Sequence, residues 1–196
     1  MLNEVNEVPL AALPVAAFKS HLRLGTGFAT DVVQDEVLEG FLRAALAAVE
    51  ARTGKALIAR NFTWRVGGWR SAVRHVLPVA PVAAIAEMRR VDADQSETVI
   101  DPGLYRLVPD LHAPRIEPVG ALLPSIPDGG AMVFSFAAGF GPDWTDLPAD
   151  LRQAVMLLAT HYYEFRSETT LAEGCMPFGV TALLARYRNI RVGAGQ

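Results

Sequence analysis

His161 and Glu164 are the two residues whose types and spacing come nearest to site chemistry. They stand three positions apart in residues 146–166, which read DLPADLRQAVMLLATHYYEFR. On a helix this spacing makes them surface neighbours, and such a pair could form half of a metal site in a helical bundle. A complete site needs further inward carboxylates. The helical candidates Glu36, Glu39 and Glu50 fall largely off the apolar face of their own segment, so a histidine bonded to a neighbour at a helix surface is the plainer reading. His21, His75 and His112 have no catalytic partner nearby in sequence. Residues 25–30, GTGFAT, begin like a dinucleotide loop, but they lack the third glycine and follow a helical stretch where the motif requires a strand. Neither a G-x-S-x-G nor a P-loop pattern occurs, and Ser71, between Arg70 and Ala72, reads as a turn residue.

The elements that would position these residues divide by periodicity. In residues 146–166, Leu151, Val155, Leu158, Tyr162 and Phe165 recur at steps of three and four, and Ala154, Met156, Leu157 and Ala159 widen the stripe. That is the pattern of a central, largely buried helix, with Asp146 as its cap, Pro148 in its first turn and Asp150 complementing the positive helix end. Pro14 opens a shorter helix, in which either Ala17, His21 and Leu24 or Phe18 and Leu22 face a core. Asp31 starts a longer one running to about Arg52, with Val33, Val37, Phe41, Ala44, Ala45 and Ala48 on one face and Gly54 just past its end. Pro177 starts a last helix with Val180, Leu183, Leu184 and Tyr187 apolar, and Arg186, Arg188 and Arg191 near its negative terminus.

Between the helical pairs the period changes to two. Residues 62–66 (FTWRV) form the clearest strand, and residues 73–77, 82–91, 99–100, 104–108, 115–117 and 131–137 follow as further strands. In the last of these Met132, Phe134 and Phe136 share one face, with Val133 and Ser135 on the other. The fold class is therefore α+β, a four-helix core of two N-terminal and two C-terminal helices with an inserted antiparallel β-sheet region. By residue, 1–55 form a helical hairpin and 56–140 a β-rich insertion, while 141–196 hold the C-terminal helices and tail, which return to pack with 1–55.

Composition narrows the function classes. Hydrophobic residues make up 51% and charged ones 20%, which places the chain among globular proteins and not disordered ones. The net charge is −3, with arginines and acids interspersed, so a concentrated phosphate-binding surface is not expected. Arg89 and Arg90 form the strongest local basic pair, but Asp92 and Asp94 follow at once, as at a solvated strand end. Trp64, Trp69 and Trp144 could stack on bases, yet without a basic groove they read as packing or interface residues. Cys175 is the single cysteine, so no intramolecular disulfide is possible. The first residues carry Glu4 and Glu7 where a secretory signal would be basic, and no apolar run approaches the roughly 20 residues of a membrane helix. A protein that is cytosolic when made is expected, with no membrane partner.

Residues 14–24 (PVAAFKSHLRL), 47–57 (AAVEARTGKAL) leading into Phe62-Thr63-Trp64, and 77–85 (LPVAPVAAI) are followed in order by 101–107 (DPGLYRL), 133–163 (VFSFAAGFGPDWTDLPADLRQAVMLLATHYY) and 177–188 (PFGVTALLARYR). Each alone is what a helix, strand or turn requires. Their combined order resembles the head–tail adaptor (connector) proteins of long-tailed phages and of phage-derived particles such as gene transfer agents. The resemblance implies a structural virion protein without enzymatic activity or cofactor. Its copies would form a ring, expected to be a dodecamer, below the portal protein, extend the DNA channel and dock the stopper or tail. Such a protein would sit at the head–tail junction of the particle and be present in the host cytoplasm during assembly. By position the resemblance makes Tyr187, Arg188, Ile190 and Arg191 portal-contact residues. Asp31, Asp35, Glu36 and Glu39 are candidates to face a channel through which DNA passes without being held. A stopper or tail-terminator ring is the alternative, along with a small metal-dependent enzyme using His161 and Glu164. The 92–97 turn and 111–128 loop are the parts least typical of the resemblance.

Overall fold

The computed structural model describes residues 1–24, 32–166 and 176–188. The chain divides into two compact units, Met1–Val8 with Ile58–Pro142, and Pro9–Leu57 with Asp143–Gln196.

The first unit is built on an antiparallel five-stranded sheet. Its strands are β1 (Leu2–Glu4), β2 (Arg60–Val66), β4 (Val82–Val91), β5 (Glu97–Val99) and β8 (Ala131–Ala138), in the order β1-β2-β8-β4-β5. A three-stranded sheet, β3 (His75–Val76), β7 (Arg115–Pro118) and β6 (Tyr105–Val108), accompanies it. Central β8 alternates as its sequence requires: Met132, Phe134, Phe136 and Ala138 are buried, while Val133, Ser135 and Ala137 are half-buried. Phe62 stacks on Phe136 with ring centroids 5.7 Å apart, and Trp64 lies 5.7 Å from Phe134. Two predictions needed correction. Residues 73–77 are not a strand of the main sheet; only His75 and Val76 pair, and they do so with Ile116 and Arg115 of β7. β1 was not foreseen, because a three-residue strand with every residue exposed leaves no apolar alternation to read. Met1–Val8 accordingly goes with the sheet and not with the first helices.

Gly139 ends β8 at φ +138°, and a Cβ there would fall inside van der Waals contact of the Ala59 backbone. The contact marks a crossing, where Gly139 N–H donates to Pro81 O and Ala59 N–H to Gly141 O.

The second unit contains helices α1 (Val15–His21), α2 (Val32–Thr53), α3 (Ala149–Glu164) and α4 (Phe178–Leu184). In α1 the face carrying Phe18 is the buried one, and Ala17 and His21 are exposed. In α2 the buried stripe is Leu38, Leu42, Ala45, Leu46 and Val49. This corrects the face predicted through Val37 and Ala44, both exposed. The helix has two overlapping apolar stripes, and the one containing the leucines removes more area from water than one built of alanines. Val33 lies outside the described side chains. Gly54 takes the left-handed position past the helix end, at φ +68°, as predicted.

Helix α3 buries Leu151, Ala154, Val155, Met156, Leu158 and Ala159. Toward its end the stripe opens, leaving Tyr162 half-buried and Phe165 36% exposed. Its beginning also differs from the sequence reading, because Asp146 does not cap α3. Asp146 accepts from Asp143 N–H at 2.9 Å, in a reciprocal capping box around the short 3-10 turn Trp144–Asp146, and Pro148 takes the position ahead of Ala149. Two acids three apart satisfy each other's backbone, so the nearer turn claims the side chain.

Candidate functional site

The last described turn of the chain is fixed by Asp150. This residue lies in the first turn of α3, where the helix dipole favours a carboxylate. Tyr187, in the 3-10 turn after α4, is 1% exposed, and its hydroxyl donates to Asp150 Oδ1 at 2.7 Å. Arg186 closes the cluster, with its Nε 2.8 Å from Asp150 Oδ2, its Nη2 donating to the Tyr187 hydroxyl at 2.5 Å and its guanidinium 4.7 Å above the Tyr187 ring. Burial holds the Tyr187 hydroxyl above its ordinary pKa. The Tyr187 hydroxyl, with the Asp150 carboxylate, raises that of Arg186. Both groups keep their ordinary charge at neutral pH, so the cluster is a clasp and not an acid–base pair.

Among the predicted portal contacts, Tyr187 therefore faces inward and holds the turn in place, while Arg188 beside it is exposed. Ile190 and Arg191 lie outside the described residues. Of the predicted channel acids, Asp31 also lies outside them. Asp35 is ion-paired with Lys19, linking α2 to α1, and Glu39 accepts from Arg43 Nε at 2.7 Å one turn along. Glu36 is exposed and has no ion pair among the described residues. Sequence reasoning assigned Asp150 only to the helix dipole. Its partners lie 36 and 37 positions away, beyond any periodic signal.

The groups considered for catalysis do not converge. His161 is half-buried against Phe165, with ring centroids 4.7 Å apart, and Glu164 is exposed. Among the described residues no three of His, Cys, Asp and Glu are grouped to hold a metal ion. Cys175 and residues 25–30 lie outside the described residues. A shallow groove of about 430 Å³ runs along Pro81, Val82, Pro109, Asp110, Leu111 and Phe140. Its one carboxylate accepts from the N–H groups of His112 and Ala113, at 2.7 and 2.8 Å, which lowers its pKa and commits it to its own loop.

In the sheet unit Trp64 and Trp69 pack around His75, and Arg89 and Arg90 are held in ion pairs. Trp64 stacks on His75 at 5.1 Å, and Trp69 meets the same ring edge-on at 4.9 Å while donating from Nε1 to Pro124 O at 2.8 Å. His75 is 5% exposed, and among the described residues neither ring nitrogen has a hydrogen-bond partner; burial first, then the nearby Arg70 charge, lower its pKa. Arg89 pairs with Glu87 and Glu97, and Arg90 with Asp92, as expected for a solvated strand end. No described helix is long and apolar enough to cross a membrane.

No protein-family model matches the chain, and no curated protein does. Solved structures do match. The chain is 53% identical to a chain in the neck of an empty gene transfer agent particle computed with C6 symmetry, with a TM-score of 0.90, covering 100% of this chain and 98% of that one. A chain in the neck of the native particle, computed with C12 symmetry, matches at 50% identity and TM-score 0.86 with the same coverage. A third match, in the virion of the native particle, stands at 52% and 0.87. Similarity of this kind over the full length defines a structural component of a phage-derived particle. The chain belongs to the family of gene transfer agent neck proteins. This agrees with the sequence-level resemblance to head–tail adaptors and with the α+β architecture of helices and inserted sheet.

Proposed function

We propose that this chain is a head–tail adaptor with no catalytic role. Copies of it form a ring below the portal, extend the DNA channel and present a docking surface to the stopper or tail. The observation that carries this reading is the full-length likeness to a neck chain in a particle computed with C12 symmetry. A cyclic ring is a head-to-tail assembly, so each copy needs two different complementary faces. In this reading the Asp150–Arg186–Tyr187 clasp fixes the point from which the C-terminal residues leave. Arg188, Ile190 and Arg191 then make the portal contact. Glu36, exposed and without an ion pair among the described residues, faces the channel with Asp31, while Asp35 and Glu39 lend charge from within their ion pairs. A slightly acidic wall repels the DNA phosphates and lets the duplex slide. The site of action is the particle neck, reached after assembly in the host cytoplasm.

The test is co-purification with the portal protein of the same particle, read by electron microscopy, with the full chain and with a chain ending at Arg188. A ring seated on the portal, and lost with residues 189–196, is the expected result. A ring seated elsewhere in the neck would make the protein a stopper or tail terminator, and no ring at all would end the adaptor reading.

A further inference from the structure

The two outer strands of the five-stranded sheet differ from the other strands described. β1 and β5 are the ones in which every residue is exposed. Backbone pairing shows which groups they leave open. Met1 and Arg65 exchange hydrogen bonds, and Val5 N–H donates to Asn61 O, so in β1 the N–H and C=O groups of Leu2 and Glu4 point away from β2. Ile100 N–H donates to Met88 O and Asp92 N–H to Ser96 O, so in β5 those of Glu97 and Val99 point away from β4.

Open edges of soluble proteins are normally blunted by very short strands, proline or charged side chains, lysine above all. Both strands here are short, at three residues each, but neither contains proline or lysine, and each edge carboxylate is neutralised within its own sheet: Glu4 by Arg60 at 2.5 Å and Glu97 by Arg89 at 2.6 Å. Leu2 and Val99 add exposed apolar surface, at 38% and 59%. We propose that β5 of one copy pairs with β1 of the next, joining the sheets of the ring edge to edge. The proposal rests on the ring reading above and names the two faces that reading requires.

Its geometry is determined. The four junctions of β1-β2-β8-β4-β5 are all antiparallel, so β1 and β5 run in the same direction. Cyclic symmetry preserves direction along the axis, so the joint between copies is a parallel ladder. Five strands at about 4.8 Å span about 24 Å, so twelve copies form a belt of about 290 Å circumference and about 46 Å radius, open at its centre.

Val99→Pro tests the joint, because the N–H it removes points away from β4 and takes no part in the β4–β5 ladder. Rings purified on the portal should fall at least tenfold for Val99→Pro, with the melting temperature of the unassembled chain unchanged. Val99→Ala, which keeps the N–H, should assemble normally. Leu2→Cys with Thr98→Cys, in a Cys175→Ser background, should give covalent multimers from assembled rings with a short bis-maleimide. Normal rings from Val99→Pro, or rings of the double-cysteine chain that stay monomeric after the linker, overturn the edge joint and leave the adaptor reading standing. Absence of rings from the wild-type chain removes both.

Discussion

Tyr187 carries a hydroxyl into a nearly sealed position, and Asp150 is the acceptor that makes this tolerable. Tyr187→Phe removes the hydroxyl and leaves Asp150 its ion pair with Arg186, so the expected cost is about 0.5–1.5 kcal/mol, measured by urea unfolding. Tyr187 was legible in the sequence as an apolar helix position, while its partners 36 and 37 residues away were not. His75 presents the opposite case, a polar ring buried between two tryptophans with no hydrogen-bond partner among the described residues. Its pKa is lowered in the folded state, so the unfolded chain binds the proton more readily. The stability this contributes is complete above the ordinary histidine value of about 6.5 and declines as pH falls below it. The urea midpoint should therefore drop between pH 7.5 and 5.5, and His75→Phe should flatten that dependence. An unaltered slope in the variant would assign the drop to other groups.

At the scale of the element, α2 shows how a helix can be legible while its orientation is not. Its length and its terminal glycine follow from periodicity and backbone freedom, which are local. Its buried face depends on which stripe the neighbouring helices cover. Leu42→Ala should cost about 2–5 kcal/mol, because it empties a site that is fully buried. Val37→Ala, at a position 48% exposed, should cost less than about 0.5 kcal/mol. Similar losses for the two in a chemical melt would restore the predicted face. β8 and β2 were the easier strands, since apolar alternation that includes aromatic residues has one reading. β1 and β3 are two or three residues long and exist only because a longer strand is there to pair with.

For the whole molecule, the charge balance carries the functional argument about DNA. Glu36→Lys changes each copy by two charges, a change multiplied around a ring, and log affinity for DNA scales with the phosphates neutralised. Particles carrying it should deliver DNA less often at equal particle number, with the deficit relieved by added salt; unchanged delivery would remove Glu36 from the channel wall. The α+β class, the helix positions and the long strands are written in the sequence, because periods of 3.6 and 2 and the Pro and Gly punctuation act over a few residues. The order of segments also carries the family resemblance. Tertiary structure alone decided which stripe of α2 is buried, that the Tyr187 hydroxyl meets Asp150, that Asp146 caps a 3-10 turn, and that β1 forms one edge of the sheet. Each of these depends on groups distant in the chain competing for the same space or the same hydrogen bond, and that competition has no local signature.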